Sequence, residues 1–435
     1  MKLIYVMLML FIFLLSIIQF GNKKWYNPST LFVGFWCVIA MLSYARWFDL
    51  KDVSDTVYLY LLLGTSFFCI GGYISKHIKI KDINAKTRKV FITNIGDNPH
   101  YIKIFKILLC FAIAIFFINT IPNLVLYRQG YTIAQVRYQD IEKIVVFGRF
   151  GNLLAILNTF FAYPFLAATV VFLTSKYMLE KSLIKLLFPI GIVILLILGI
   201  GAREIIIYAL VTSAMGIVVL KQRGIKIPKN LYLSVILFII IFFVVSVGRD
   251  IKGLERNIRS IYHYMCSSLV LFDYTLDNTT FYYGMHTYGA MSFLGFLRPV
   301  YNFFGLIGIK QWPIFDVAEQ FQLDLQYTVI HTTTTGSGYF NYFATCFAYF
   351  YKDFGTYGII VMSTIYGMIS TYVFKRVMKD PRNLRYLTLY LFLVCGIFAS
   401  MDDFQFINIR NAMPIIYILL FVPDYLVVQM KEVTQ

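Results

Sequence analysis

The chain reads as an all-α polytopic bundle of about eleven transmembrane helices, with a large extracytoplasmic loop that holds re-entrant or interfacial helices. Three observations predict this. The sequence is 59% hydrophobic and only 14% charged, whereas soluble domains are about a quarter charged. Apolar runs close to the roughly 20 residues that cross a bilayer recur along its length. Lysine and arginine collect in every second connection between those runs, as the cytoplasmic side of a membrane protein requires. Residues 1–435 therefore read as one integral membrane domain.

The first run, 3–20, lacks the small-residue cleavage site of a signal peptide and is followed by further spans, so it reads as an anchor. After it come 31–45, 57–75, 102–120, 153–174, 186–201, 205–220, 231–247, 355–374, 386–400 and 415–430. Backbone groups in hydrocarbon must find partners inside the protein, so each span is helical. The basic connections are Asn22-Lys23-Lys24, Lys76 to Lys89, Lys176 to Lys185, Lys221 to Lys229 and Lys375 to Arg385. They put the N-terminus outside and the C-terminus, with Lys431, inside. Leu186–Leu220 is apolar except for Gly201-Ala202-Arg203-Glu204. As one helix it would be about 52 Å long against a core of roughly 30 Å. It would also strand Lys221, Arg223, Lys226 and Lys229 outside, so a hairpin turning at Arg203 is expected. One further span within 261–309 would reverse every assignment after it.

Two sizeable segments are left outside: 121–152, and the large outer loop 248–354, which would carry the active site. A connection of that length is too long to be passive. Its stretches Ile261–Leu276 and Phe281–Ile309 are apolar and aromatic, and read as helices lying on the bundle. The tract His331-Thr-Thr-Thr-Thr-Gly336 reads as a mobile segment.

The net charge of +17 suggests nucleic acid at first sight, but cytoplasmic lysines account for it and no nucleic-acid partner is expected. No cysteine pair has metal-ligand spacing, so neither a metal nor a disulfide framework is expected. Sorted by expected side, the outer face carries 10 Arg and 6 Lys, the inner face 5 Arg and 18 Lys. Topology explains the inner lysines and leaves the outer arginines unexplained. The planar guanidinium binds phosphate through two parallel bonds. A pyrophosphate site is therefore expected from Arg203, Arg249, Arg256, Arg259, Arg137 and Arg298. For any one of them, snorkelling to lipid headgroups or pairing with Glu204, Asp250 or Glu255 is the plainer account.

The outer aromatics, among them Tyr282, Tyr283, Tyr288 and Tyr301, are denser than an interfacial belt requires. Their flat faces suit sugar rings, and a lipid-facing wedge fits equally well. Acid–base candidates on this side are His263, His286, His331, Glu204, Asp250, Asp353, Asp402 and Asp403. His331 and Asp250 are the catalytic candidates, the histidine because its ordinary pKa near 6.5 suits a general base. Asp353, in Tyr351-Lys352-Asp353-Phe354-Gly355, reads more plainly as a helix junction with Asp capping and Gly turning. There is no Walker A motif, dinucleotide fingerprint or Asp-x-Asp pair, and no cofactor is expected.

The stretch Gly338-Tyr-Phe-Asn341-Tyr-Phe-Ala-Thr345-Cys-Phe-Ala-Tyr-Phe-Tyr351-Lys-Asp353-Phe354-Gly355-Thr-Tyr-Gly358 resembles a signature of the bacterial oligosaccharide repeat-unit polymerases, the O-antigen and capsule polymerases of Wzy type. Thr345, Tyr351, Asp353, Phe354, Gly355 and Gly358 match; Asn341 sits one residue early and Ala344 replaces a tyrosine, so Asn341 is given no role. Gly201-x-Arg203 and Gly248-Arg249 after their spans are also similar to this family and to its ligase relatives. The resemblance implies transfer of a sugar chain from undecaprenyl pyrophosphate to a lipid-linked repeat unit at the outer face of the bacterial inner membrane. It implies undecaprenyl-pyrophosphate-linked oligosaccharides and the lipid bilayer as partners, with a chain-length regulator as a protein partner. Arg203 and Arg249 would stabilise the leaving pyrophosphate, and His331 or a carboxylate would take the hydroxyl proton. A flippase for the same lipid would show buried mid-membrane charge and an inverted repeat, and neither is seen. An O-antigen ligase would look nearly the same in sequence.

Overall fold

The computed structural model of the protein describes residues 1–19, 24–79, 99–131, 136, 151–181, 184–200, 204–247, 254–278, 281, 286–306, 308, 312–336, 339–340 and 344–424. The fold is all-α. Its helices are α1 (Lys2–Gln19), α2 (Pro28–Ala45), α3 (Asp55–His77), α4 (Pro99–Arg128), α5 (Tyr163–Glu180), α6 (Ile184–Ile200), α7 (Glu204–Gln222) and α8 (Lys229–Val247). Then follow α9 (Leu254–Asp277), α10 (Leu294–Leu306), α11 (Pro313–Tyr327), the antiparallel pair β1 (Ile330–His331) and β2 (Tyr339–Phe340), α12 (Cys346–Phe354), α13 (Thr356–Lys379), α14 (Leu384–Ala399) and α15 (Ile409–Phe421).

Among the described residues six helices are long and apolar enough to cross a membrane: Pro28–Ala45, Asp55–His77, Lys103–Arg128, Gly151–Glu180, Glu204–Gln222 and Thr356–Lys379. Five shorter apolar helices, Lys2–Ile18, Ile184–Ile200, Lys229–Val244, Leu384–Ala399 and Ile409–Phe421, lie where the other spans are expected. The apolar run around Arg203 is two helices, α6 and α7, packed on each other. Three spans move by more than five residues, α15 (Ile409–Phe421) starting six residues before the expected 415 and ending nine before 430. The span expected over 102–120 continues as α4 to Arg128, taking eight residues from the shorter outer loop, and the span expected to end at 174 continues to Glu180.

Contacts divide the chain into two compact units. The first comprises Met1–Ile78, Asp250–Tyr372 and Leu393–Ala412. Its α1, α2 and α3 pack together, and α2 starts on a capped turn in which the Asn27 side chain accepts from the Thr30 amide at 2.9 Å. Phe32 stacks on Phe68 at 4.1 Å, with Phe347 and Tyr366 edge-on around the pair. Trp36 Nε1 donates to Ser400 Oγ at 3.1 Å. Helices α3 and α13 touch backbone to backbone: a Cβ on Gly71 would meet the Thr364 carbonyl oxygen at 2.1 Å, and one on Gly367 that of Phe68 at 2.1 Å. Small residues are what let membrane helices approach so closely.

The second unit comprises Lys79–Arg249, Val373–Phe392 and Met413–Gln435. Phe105, Phe161, Phe165, Tyr417 and Phe421 form its aromatic centre. At one end Asn123 Nδ2 donates to the Gly199 carbonyl at 2.6 Å, and Tyr127 to that of Leu198 at 3.4 Å. These bonds tie α4 to the last turn of α6, just ahead of Arg203. At its other end Lys185 pairs with Glu180, and Arg385 Nε donates to the Val422 carbonyl at 2.8 Å.

The segment 248–354, expected as the large outer loop, is not a loop among its described residues. It folds as α9 to α12 with the short β pair, and it includes one helix, α11, in a stretch whose hydropathy does not announce it. Helix α9 lies against the connection between α2 and α3. Tyr262 donates to the Leu42 carbonyl at 2.9 Å, and eleven residues later Asp273 accepts from the Ser54 amide at 2.9 Å.

Candidate functional site

The junction of α12 and α13 is built around Asp353. Gly355 (φ +60°) turns the chain there, as the Asp-Phe-Gly sequence predicts. Asp353 is fully buried, and both of its oxygens are filled. Thr287 Oγ1 donates to Oδ1 at 2.6 Å, and the amides of Gly289 and Met291 donate to the same oxygen at 2.8 and 3.1 Å. The Ser292 amide donates to Oδ2 at 3.0 Å, and the Ser292 hydroxyl joins it. Buried carboxylates need such donors. The bonds fold residues 287–292 into a tight turn in which Tyr288 (φ +49°) and Gly289 (φ +94°) are left-handed. For tyrosine that conformation is strained and must be imposed by its surroundings. Beside it, Lys352 Nζ donates to the Phe281 carbonyl at 2.8 Å and lies over the Phe321 ring. Burial pushes the Lys352 pKa down, against the opposing charge of Asp324.

A groove of about 530 Å³ starts under that turn. Tyr288 stands at its mouth, Phe293, Leu297 of α10 and Ile314 of α11 form one side, and Val361 and Ile365 of α13 form the other. Phe354 also lines it, so it follows the chain from the turn at Gly355 down α13 as far as Ile365, about 14 Å of helix.

A second cluster is polar. The turn after α2 holds three non-glycine residues in the left-handed region, Arg46 (φ +48°), Phe48 (φ +54°) and Asp49 (φ +59°). Lys2 and Arg46 sit on Asp52 at 2.7 and 3.7 Å. Partial burial works to raise the Asp52 pKa, but these cations outweigh it and hold the carboxyl below its ordinary value. The threonine tract is pinned to this connection rather than mobile. The Lys51 amide donates to the Thr332 carbonyl at 2.8 Å, the Thr334 amide donates to that of Asp49 at 2.8 Å, and Thr332 and Thr333 are buried. His263 of α9 reaches the same place. Both of its ring nitrogens are enclosed, beside the Phe48 backbone. Burial first, then the Arg259 charge, pushes its pKa down against the Phe48 backbone and Asp49. Tyr264 donates to Asp402 at 2.9 Å.

His331 is exposed, and its Nδ1 lies 2.8 Å from the Gly336 carbonyl oxygen. A carbonyl only accepts, so Nδ1 carries the proton and Nε2 is the basic nitrogen of the neutral ring. Arg298 pairs with Glu319 at 2.8 Å. Tyr301 is buried in the α10–α11 pair, where it donates to Asp316 at 2.6 Å and its ring packs on Phe315. Burial and the Asp316 bond raise its pKa. Tyr288 is 62% exposed and is the one described sugar-contact candidate presented to solvent. Arg203, Arg249, Asp250, Arg137, Tyr282 and Tyr283 lie outside the described residues, as does the side chain of Arg256. Of the expected site, Arg259 therefore falls in the polar cluster, His331 beside the threonine tract that belongs to it, and Tyr288 at the groove. The buried partners Thr287 and Ser292, His263 with both nitrogens enclosed, and the strained turn at Arg46 were not singled out as a group by their sequence.

Among the described residues no three His, Cys, Asp or Glu side chains gather as a metal site. No protein-family description, curated protein or solved structure matches the chain.

Proposed function

We propose that the protein is a membrane glycosyltransferase. It polymerises undecaprenyl-pyrophosphate-linked oligosaccharide repeat units at the extracytoplasmic face of the bacterial cytoplasmic membrane, as in O-antigen or capsule assembly. The five shorter apolar helices complete a bundle of about eleven spans. One observation carries the proposal. Helix α9 and the threonine tract, some 60 residues apart and more, are both fastened to the last turn of α2 and the connection Arg46–Ser54 that follows it. Arg46 lies in that connection and His263, with Arg259 near it, lies against it; in this reading that end of the bundle is at the level of a lipid-linked head group.

In this mechanism an acceptor sugar hydroxyl attacks the anomeric carbon of the donor chain, and that carbon's bond to the lipid pyrophosphate breaks. The pyrophosphate leaves with its negative charge stabilised by Arg203 and Arg249, since guanidinium donors act most strongly on charge that develops in the transition state. His331, through Nε2, or Asp250 takes the hydroxyl proton. A single displacement inverts the anomeric centre. The pyrophosphate ester already stores the driving force, so the step asks for no nucleotide.

The test is mass analysis of lipid-linked glycans after deleting the gene. Single repeat units left unpolymerised are the expected result, and Arg203→Ala or Arg249→Ala should reproduce it in protein that still inserts. Long chains left on lipid would make the protein a ligase. Units stranded on the cytoplasmic side would make it a flippase.

A further inference from the structure

The groove beside Asp353 limits what can fill it by its depth, its lining and its mouth. Val361 and Ile365 lie about one and a half to two and a half turns below the start of α13, a helix long and apolar enough to cross a membrane. Val361 is 45% exposed, so this wall opens sideways. At that depth the surroundings of a spanning helix are hydrocarbon, and a soluble partner does not reach it. Below the mouth the lining is aliphatic and aromatic, which suits a hydrocarbon chain.

The mouth is different in kind. Tyr288 is exposed, its ring centre is 5.8 Å from that of Phe354 and 6.4 Å from that of His286, and its backbone is held left-handed by the bonds to Asp353. Packing does not need a strained and exposed tyrosine. A flat aromatic face with a polar tip fits the C–H face of a sugar ring.

The geometry points to a binding site for the hydrocarbon chain of a lipid-linked saccharide, with Tyr288 as the platform for its first sugar and Asp353 as the residue that positions Tyr288. The saccharide part rests on the glycosyltransferase function proposed above. The groove holds only the part of the chain next to the head, and the remainder lies in the bilayer.

The experiment is native mass spectrometry of the full-length protein in detergent with three probes: undecaprenyl phosphate, undecaprenyl phosphoryl-glucose and phosphatidylglycerol. Wild type should retain both undecaprenyl lipids in preference to phosphatidylglycerol. Ile365→Trp, which fills the groove, should weaken both by about tenfold or more, and Ile365→Val should not. Tyr288→Ala should weaken only the glucosylated probe. Asp353→Asn should behave like Tyr288→Ala; if it fails to fold, Ser292→Ala loosens the same turn more gently and should show the same selective loss. Equal competition by phosphatidylglycerol would overturn the assignment. So would wild-type retention in Ile365→Trp of normal thermal midpoint. A deletion strain with normal glycans would sink the polymerase function and leave the lipid-binding result standing. Unimpaired binding in the groove-filled variant would sink the site whatever the deletion strain does.

Discussion

A carboxylate buried without partners costs several kcal/mol, and Asp353 avoids that cost through donors that lie more than sixty residues earlier in the chain. The turn at Gly355 is legible in Asp353-Phe354-Gly355, but the expected helix cap is not what Asp353 forms: its oxygens accept from residues 287–292 instead. Thr287, Gly289 and Ser292 are common turn residues, and nothing in them announces a distant carboxylate. His263 was no more legible, since a histidine on an amphipathic stretch looks solvated until the Arg46–Asp49 turn closes over it. Its environment sets a pH dependence whose sign follows from burial. The fold favours the neutral ring, whereas the unfolded chain titrates near 6.5. Between the two pKa values the unfolded state binds more protons, so stability rises with pH through that window and is lost as pH falls below about 6.5. The thermal midpoint of the detergent-solubilised protein should drop on acidification from about pH 7.5 to about pH 5.5. His263→Gln should flatten that drop. An unchanged slope in the variant would assign the acid sensitivity to another group.

Helices of the bundle were legible because hydropathy alone marks a segment that must satisfy its own backbone in lipid. Their ends were less so: α4 runs on to Arg128 with Pro122 inside it, since lipid-facing and interfacial residues look alike at a boundary. Helix α11 shows what hydropathy misses. Its mean composition is that of a loop, with Asp316, Glu319 and Asp324. Yet Phe315, Ala318, Phe321 and Leu325 recur at helical spacing and are its buried face. Packing between elements is invisible in sequence except where glycine makes it possible, as where α3 meets α13. Gly71→Val would drive a side chain into the Thr364 carbonyl, so the two backbones must part. It should cost about 1–3 kcal/mol, the range for overpacking, read as a lower thermal midpoint. Gly191→Ala, on α6 with nothing within 4 Å of the added carbon, is the control and should be neutral or stabilising. Equal losses in both would mean that helix propensity, not close approach, sets the glycine requirement.

At the scale of the whole molecule the open question is parity, because one more span after residue 261 would turn the rest of the chain over. The contacts of α9 bear on it directly. Tyr262 meets the last turn of α2 at Leu42, and Asp273 meets Ser54 just before α3. A helix that crossed a membrane between those residues could not touch the same end of the bundle twice. The start of α10 is held similarly, since the Gly295 amide donates to the Phe406 carbonyl at 2.8 Å. Phe406 follows α14 in a segment that charge alternation assigns to the same side as Tyr262. Lys2 pairs with Asp52, and Tyr264 with Asp402, again between segments assigned to one side. Reporter fusions or accessibility tags should therefore find Lys86, Lys226 and Lys379 in the cytoplasm, and Arg137, Asn278 and Thr333 outside. The most exposed part of this prediction is the pair 226 and 278. Between them lie α8 and α9, and α9 is the helix most easily mistaken for a span, with Cys266, Leu269, Leu271 and Phe272 buried. The same helix carries Asp273, which a spanning helix would have to bring near hydrocarbon at a cost of a few kcal/mol. Tags at 226 and 278 on opposite sides make α8 the only crossing between them. Tags on the same side would make α9 a span as well, and would carry His331 and the groove mouth at Tyr288 to the cytoplasmic face, where a polymerase of exported repeat units has no substrate.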